Sequence, residues 1–183
     1  VNLAKDYDAI YVYHGAAKHI NEFIQNSGVD FLNGQQYDDD KELFIRETFR
    51  VAPHNSYLLF DEVYHKAGEK EYEVEGNHRG FTFIDDDEVT GIESNYVKIQ
   101  YYDSSPTVEY EYDEAKGVYH RISDGVVTKD LERDAPVEID NVFIIEADHE
   151  IIDDEGRRDI DLKAGGFGYL LQKGKVKKVE WIN

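Results

Sequence analysis

Two arginines, a histidine and an asparagine crowd into one stretch, Phe44-Ile45-Arg46-Glu47-Thr48-Phe49-Arg50-Val51-Ala52-Pro53-His54-Asn55. Guanidinium, imidazole and carboxamide groups are hydrogen-bond donors to an oxyanion, and a neutral imidazole also accepts a proton. The stretch therefore offers either an anion seat or a general base. Asn55, with Ser56 behind it, reads as a helix N-cap. Tyr57, Leu58, Leu59, Phe60, Val63 and Tyr64 follow as an apolar face at helical spacing that ends near Gly68. That spacing predicts a strand-to-helix turn whose unpaired N–H groups and positive dipole end seat an anion at Arg46, Arg50, His54 and Asn55. The same dipole would keep His54 in its neutral, proton-accepting form. A plainer reading fits the same residues: arginines pairing surplus carboxylates, and His54 holding a backbone carbonyl to fix the turn.

His14 is the second candidate base. It ends a strand read over residues 8–13, the place where open α/β sheets present ligands. Convergence of His14 and His54 in one cleft would make an envelope enzyme with His54 as base and His14 or Arg50 assisting. A nucleophile is harder to find. There is no Gly-x-Ser-x-Gly elbow and no cysteine, and Ser56 stands too close to His54 in sequence to be its partner. Paired carboxylates are so abundant that their positions carry no information about glycoside cleavage.

Metal ligation is also weakly indicated. Asp85-Asp86-Asp87-Glu88 with Glu93, and Asp153-Asp154-Glu155-Gly156 with Asp159 and Asp161, could offer oxygens to calcium. Neither has the alternating acids and central glycine of an EF-hand loop. His14 and His19, or Asp61 and His65, lack the context of a zinc site. No metal or cofactor is expected. Gly165-Gly166-Phe167-Gly168 has no following lysine–threonine end, so it reads as a bend entering an edge strand rather than a phosphate loop. The 14 tyrosines suggest sugar stacking or, with better support, cross-strand packing.

The elements that must position these groups change character along the chain. Residues 8–13 form a mostly apolar strand, covered on both faces. Ala17, Ile20, Phe23 and Ile24 then mark a helix closed by Gly28. Val29 to Leu32 is a short strand turned by Asn33-Gly34, and Asp38-Asp39-Asp40 a solvated loop. The boundary lies between Gly68 and Gly80. From about Phe81 only strands and turns follow. Val97, Ile99 and Tyr101 alternate with polar or aromatic partners, and Ser104-Ser105-Pro106 turns the chain. Val108, Tyr110 and Tyr112 form a hairpin with Val118 to Ile122. Asn141 to Ile145 reads as a central strand, Ile160 and Leu162 as a further one. Phe167 to Gln172 and Lys175 to Ile182 are joined at Lys173-Gly174. The expected class is α+β: a short α/β-type first lobe over 1–75, and a mostly antiparallel β C-terminal lobe over 76–183.

Composition excludes several functions. With 40 acidic against 20 basic residues and a net charge of -20, the chain repels phosphate backbones, so no nucleic-acid partner is expected. The same balance argues against a stable seat on anionic lipid through polybasic contacts. Aromatic content of 13% argues against disorder. A cysteine-free chain suits a bacterial protein outside the cytoplasm. It has no methionine and opens Val1-Asn2-Leu3, so it is expected to be a processed product or a piece of a longer one.

Phe44-x-Arg46-x-x-x-Arg50-x-Ala52-Pro53-His54-Asn55 resembles the signature segment of the YerB-like bacterial lipoproteins. Leu3-Ala4-x-x-Tyr7-Asp8-Ala9-Ile10-Tyr11-Val12 is similar to the strand preceding it. The second half is similar through Tyr112-Asp113, Tyr119-x-Arg121, Asp130, Asn141-Val142, Gly156-Arg157, Gly166-x-Gly168, Gly174-Lys175 and Trp181. The resemblance implies an α/β-type domain followed by a smaller β domain, in a lipid-anchored precursor on the outer face of a Gram-positive membrane. The lipobox region and the first part of the first domain have no counterpart, and the family's further strand pair after Asn183 is also missing. The membrane is thus expected only through an anchor lying outside this fragment. The resemblance adds Tyr119, Arg121 and Asn141 as candidates in the second lobe. It supplies no reaction. A small anion, a cell-wall component or an envelope protein are the expected partners, and a non-catalytic binding or assembly role leads over an enzyme.

Overall fold

The structure is a computed structural model that describes residues 1–37, 42–76, 89–101 and 106–182. Asp38-Asp39-Asp40, the strand onset at Phe81, Gly80, Asp85 to Glu88, Tyr102 and Ser104-Ser105 lie outside the described residues. The chain divides into two units, Val1–Phe83 and Ile84–Asn183. Strands outnumber helices and most pair antiparallel, in broad agreement with an α+β class.

The first unit opens with a short helix α1 (Asn2–Asp6), absent from the sequence reading, and continues with β1 (Tyr11–Tyr13), α2 (Lys18–Asn26) and β2 (Phe31–Asn33). β1 and β2 run parallel, with Val12 opposite Leu32. The helical crossover between them is what a parallel pair requires. Gly28 follows α2 at φ +77, the left-handed position that ends a helix, as expected. Next come β3 (Phe44–Arg46), β4 (Ser56–Leu58) and α3 (Phe60–Glu69). β3 and β4 form an antiparallel ribbon in which Arg46 faces Ser56 and Phe44 faces Leu58.

Alternation decides the layers. Val12 and Leu32 point to a core of Leu32, Leu43, Phe44 and Val63, with Ile10, Tyr37 and Tyr72 against it. Burying such side chains stabilises by about 1.5–3 kcal/mol each. Tyr11, Tyr13 and Phe31 stand on the other face, where the Tyr13 hydroxyl donates to Asn21 Oδ1 of α2 at 2.9 Å. Lys66 of α3 is buried across the ring of Tyr37. Its ammonium bonds Glu42 and, at 3.0 Å, Glu69, which together raise its pKa.

The second unit is built from strands: β5 (Ile92–Glu93), β6 (Tyr96–Gln100), β7 (Thr107–Asp113), β8 (Val118–Ser123), β9 (Val126–Val127), β10 (Lys129–Asp130), β11 (Ala135–Pro136), β12 (Glu138–Ile139), β13 (Asn141–Ile145), β14 (His149–Ile151), β15 (Arg158–Ile160), β16 (Gly166–Gln172) and β17 (Lys175–Trp181). One sheet has the order β12-β8-β7-β6, with β9 also on β8, and a second has β13-β16-β17-β5. They meet through Tyr119, Val142 and Leu171, flanked by Val97, Tyr110, Tyr112, Ile139, Ile144 and Val176. Tyr112 and Tyr119 are direct cross-strand partners with ring centroids 4.9 Å apart, the packing role expected for tyrosines.

Two strand positions differ from expectation. Asn141–Ile145 is an edge of its sheet, not a centre, and its apolar run reflects one partner strand and a half-exposed outer row with Phe143. The glycines of 165–168 enter β16, which is central. There a Cβ on Gly168 would stand 2.6 Å from the Ile144 carbonyl oxygen, so close strand approach, not an edge bend, requires glycine. Lys173 and Gly174 both adopt positive φ and make the tight turn expected between β16 and β17.

Candidate functional site

The stretch with the candidate chemistry folds otherwise than its spacing predicts. Asn55 caps no helix: α3 starts at Phe60 with Leu59 as its N-cap, and it runs past Gly68 to Glu69. Ser56–Leu58 is strand because it pairs with Phe44–Arg46, and Leu59 N–H donates to Leu43 O at 2.8 Å. The helix-dipole argument for an anion at Arg46, Arg50, His54 and Asn55, and for a neutral His54, therefore lapses. What replaces it is a hairpin loop over 47–55. Arg46 Nη1 donates to Asn55 Oδ1 at 2.8 Å, Asn55 Nδ2 to Glu47 O at 3.0 Å, and Glu47 N–H to Asn55 O at 2.8 Å. At its tip His54 N–H donates to Val51 O at 3.0 Å. Arg46 and Asn55 thus clamp the loop base.

The rest of the loop faces solvent. Phe49 is 59% and Val51 83% exposed, and Arg50, Pro53 and His54 are exposed as well. Phe49 packs on Tyr57, ring centroids 5.5 Å apart at 35°, and the Arg50 guanidinium lies 5.9 Å from the Phe49 centroid. Below the loop, Ser56 Oγ and Tyr57 Oη are buried with no hydrogen-bond partner. A buried polar group left unpaired costs about 1–3 kcal/mol, so the hairpin base is short of acceptors. Sequence reasoning gave Phe49 and Tyr57 no role at this loop and Ser56 only a place behind the expected N-cap. Tyr57 fitted a helical face, and nothing in its spacing distinguished the strand.

The remaining candidates do other work. The His14 ring packs edge-on against Phe44, centroids 5.3 Å apart, at the opposite end of β3 from Arg46. His54 lies beyond Arg46 in the loop, with no ring or hydrogen-bond contact to His14 recorded among the described residues. Tyr119 is fully buried, and its hydroxyl accepts Gly174 N–H at 2.9 Å, with burial raising its pKa. Arg121 Nη1 donates to Thr128 Oγ1 at 2.9 Å, and Asn141 Oδ1 accepts from Gln172 Nε2 at 2.6 Å. All three are engaged in the second unit's own structure. A cleft of about 440 Å³ in the first unit, lined by Lys5, Asp8, Ser27, Asp30 and Glu73 among others, contains none of the candidates.

In the second acidic run, Asp153, Glu155 and Asp161 are paired within the run or its own turn. Asp153 accepts from Arg157 Nη1 at 2.6 Å and from Arg157 N–H at 3.0 Å, and Glu155 from Arg157 Nη1 at 2.9 Å. Arg157 thereby holds Asp153 below the usual carboxylate range. Asp161 Oδ1 accepts the N–H groups of Lys163 and Ala164. Among the described residues no group of three or more His, Asp or Glu is placed to hold a metal ion.

Comparison with known proteins agrees with this two-unit arrangement. The model of the N-terminal domain of a protein of unknown function, DUF3048, matches residues 1–73, and that of the DUF3048 C-terminal domain matches 97–183. The chain belongs to the DUF3048 family. A Bacillus subtilis (strain 168) relative named "Putative lipoprotein YerB" is 39% identical over 183 residues, 99% of this chain and 55% of the relative. The chain thus spans about half the length of that DUF3048 relative. A crystal structure of the YerB protein from Bacillus subtilis is similar at a TM-score of 0.85 and 37% identity, covering 99% of this chain and 60% of that one.

Proposed function

We propose that this chain is the ligand-contacting part of a lipid-anchored, extracytoplasmic cell-envelope protein, and that it works by binding, with loop 47–55 as its contact element. The observation that carries the reading is a base-clamped loop that turns Phe49, Arg50, Val51 and His54 to solvent. In a chain with two acids for every base, exposed cationic and apolar groups on a fixed loop favour an anionic group, on a small molecule, a wall component or an envelope protein. The name of the Bacillus subtilis relative supports the lipoprotein anchor. No metal or cofactor enters the reading.

The rival reading, an envelope hydrolase with His54 as general base and Arg50 or His14 beside it, has less behind it. A base needs a second group to orient its ring, and among the described residues no hydrogen bond to the His54 ring is recorded. The test is a thermal-melt panel with phosphate, citrate, calcium, EDTA and soluble cell-wall fragments. A ligand at a hundred times its Kd stabilises by about 2.7 kcal/mol, a rise of several degrees. The expected result is a rise with an anion or a wall fragment that disappears in Arg50→Ala or His54→Ala, variants that melt like the parent without ligand. A panel with no shift in any condition overturns the reading.

A further inference from the structure

The loop carries a second arrangement that narrows its ligand. Tyr57 is fixed in β4 opposite Ile45, Phe49 lies on the Tyr57 ring, and the Arg50 guanidinium lies over Phe49. Three groups from a strand and a loop are therefore layered, with the cation outermost. A guanidinium resting on a ring keeps its planar fork in a narrow set of orientations and pays less ordering entropy when it binds. No carboxylate lies within ion-pair distance of Arg50 among the described residues, although the chain has 40 acids for 20 bases. The Tyr57 and Ser56 hydroxyls are buried away from solvent and take no part in this contact. Arg50 is therefore the exposed donor that an oxygen-rich ligand would satisfy.

We infer that Arg50 is a preorganised fork for a phosphoryl group, with Phe49 and Tyr57 as the residues that position it. This rests on the reading that loop 47–55 is the contact element. A phosphoryl group presents the paired oxygens that match a guanidinium bidentately, whereas an ammonium is a point charge. Phe49 therefore sets affinity without touching the ligand. The phosphoryl group can arrive on a free ester or on a lipid headgroup, since both present the same oxygens.

The test measures binding of glycerol phosphate by calorimetry and of phosphatidylglycerol vesicles by sedimentation, using the whole chain. Arg50→Ala is expected to abolish binding. Arg50→Lys, which keeps the charge but not the fork, should weaken it about tenfold or more, the loss of one charge-assisted bidentate contact. Phe49→Ala should weaken binding likewise, while Phe49→Trp, which restores a ring under the guanidinium, should recover it. Binding to either probe with this pattern supports the inference, and the probe that binds tells the free ester from the lipid. If Arg50→Lys binds as well as the parent, or Phe49→Trp fails to rescue, the fork is wrong. If His54→Ala loses binding while Arg50→Ala retains it, the loop binds but this inference falls. No binding to either probe, together with a flat melt panel, overturns both.

Discussion

Tyr119→Phe removes one oxygen from the most enclosed side chain of the second unit, and its cost can be worked from the geometry. The ring stays in place against Tyr112, so the packing contact at 4.9 Å survives. What is lost is the acceptor for Gly174 N–H at 2.9 Å. Gly174 is itself buried in the β16–β17 turn, so water cannot replace the hydroxyl. An unmade buried bond of this kind costs about 1–3 kcal/mol, a sizeable part of the ~5–15 kcal/mol that holds a domain. For a unit of 100 residues (Ile84–Asn183) each kcal/mol lowers the melt by roughly 4–8 °C. Tyr112→Phe is the control: it changes the same ring pair, its hydroxyl has no hydrogen bond among the described residues, and it should be nearly silent. Urea and thermal unfolding followed by circular dichroism give both values. Burial raises the Tyr119 pKa, so its contribution is complete below the unfolded value near 10 and lost as pH rises through the folded one. The gap between parent and Tyr119→Phe should therefore narrow above about pH 10. A Tyr119→Phe protein that melts within a degree of the parent refutes the reasoning.

Further perturbations test the rest of the fold. Asn55→Ala removes both side-chain bonds at the loop base and should cost about 1–2 kcal/mol, seen as faster hydrogen exchange confined to 47–55. Lys66→Met should keep most of the first unit's melt, because Glu42 and Glu69 are half-exposed and water replaces the ammonium, whereas Lys66→Ala, which also empties the space beside Tyr37, should melt clearly lower. Gly168→Ala forces a methyl against the Ile144 carbonyl and should destabilise by about 1–3 kcal/mol in denaturant titration. Glu109, Glu138 and Asp153 are held below their ordinary pKa, by Tyr96, Lys116 and Arg157 respectively. Their stabilisation is complete above the ordinary carboxylate range and should fade as pH falls through their lowered values. Glu138 is half-exposed, so added salt should shrink its share of that acid-side slope more than the shares of Glu109 and Asp153, which are 17% and 15% exposed.

Much of the second unit was legible because period-two alternation and turn chemistry agree there. Tyr110 and Tyr112 alternate with acids up to Asp113, and Lys173-Gly174 is a two-residue turn by composition. α2 was legible from Ile20, Phe23 and Ile24 with Gly28 behind them. Tyr57 to Tyr64 was not, because that apolar run fits a helical face throughout, and only pairing of Ser56 with Arg46 across the ribbon splits it into β4 and α3. The candidate stretch was found by residue type, yet its geometry was misplaced for the same reason. Neither the Arg46–Asn55 clamp nor the Tyr57–Phe49–Arg50 layering has a local signature, since each depends on a ribbon closing across nine positions.

The sheet order β13-β16-β17-β5 sets the sequence in which this molecule can be completed. Its two inner strands follow both outer strands in the chain, so each outer strand is made before the neighbour it pairs with. Until Lys175–Trp181 is available, Ile92–Glu93 has no neighbour in that sheet, and the Gly174 end of the Tyr119 bond does not yet exist. The second unit therefore closes only once the β16–β17 hairpin is in place. A chain cut before Lys175 would keep both outer strands and lose one from the middle of the sheet, a natural substrate for quality-control proteolysis.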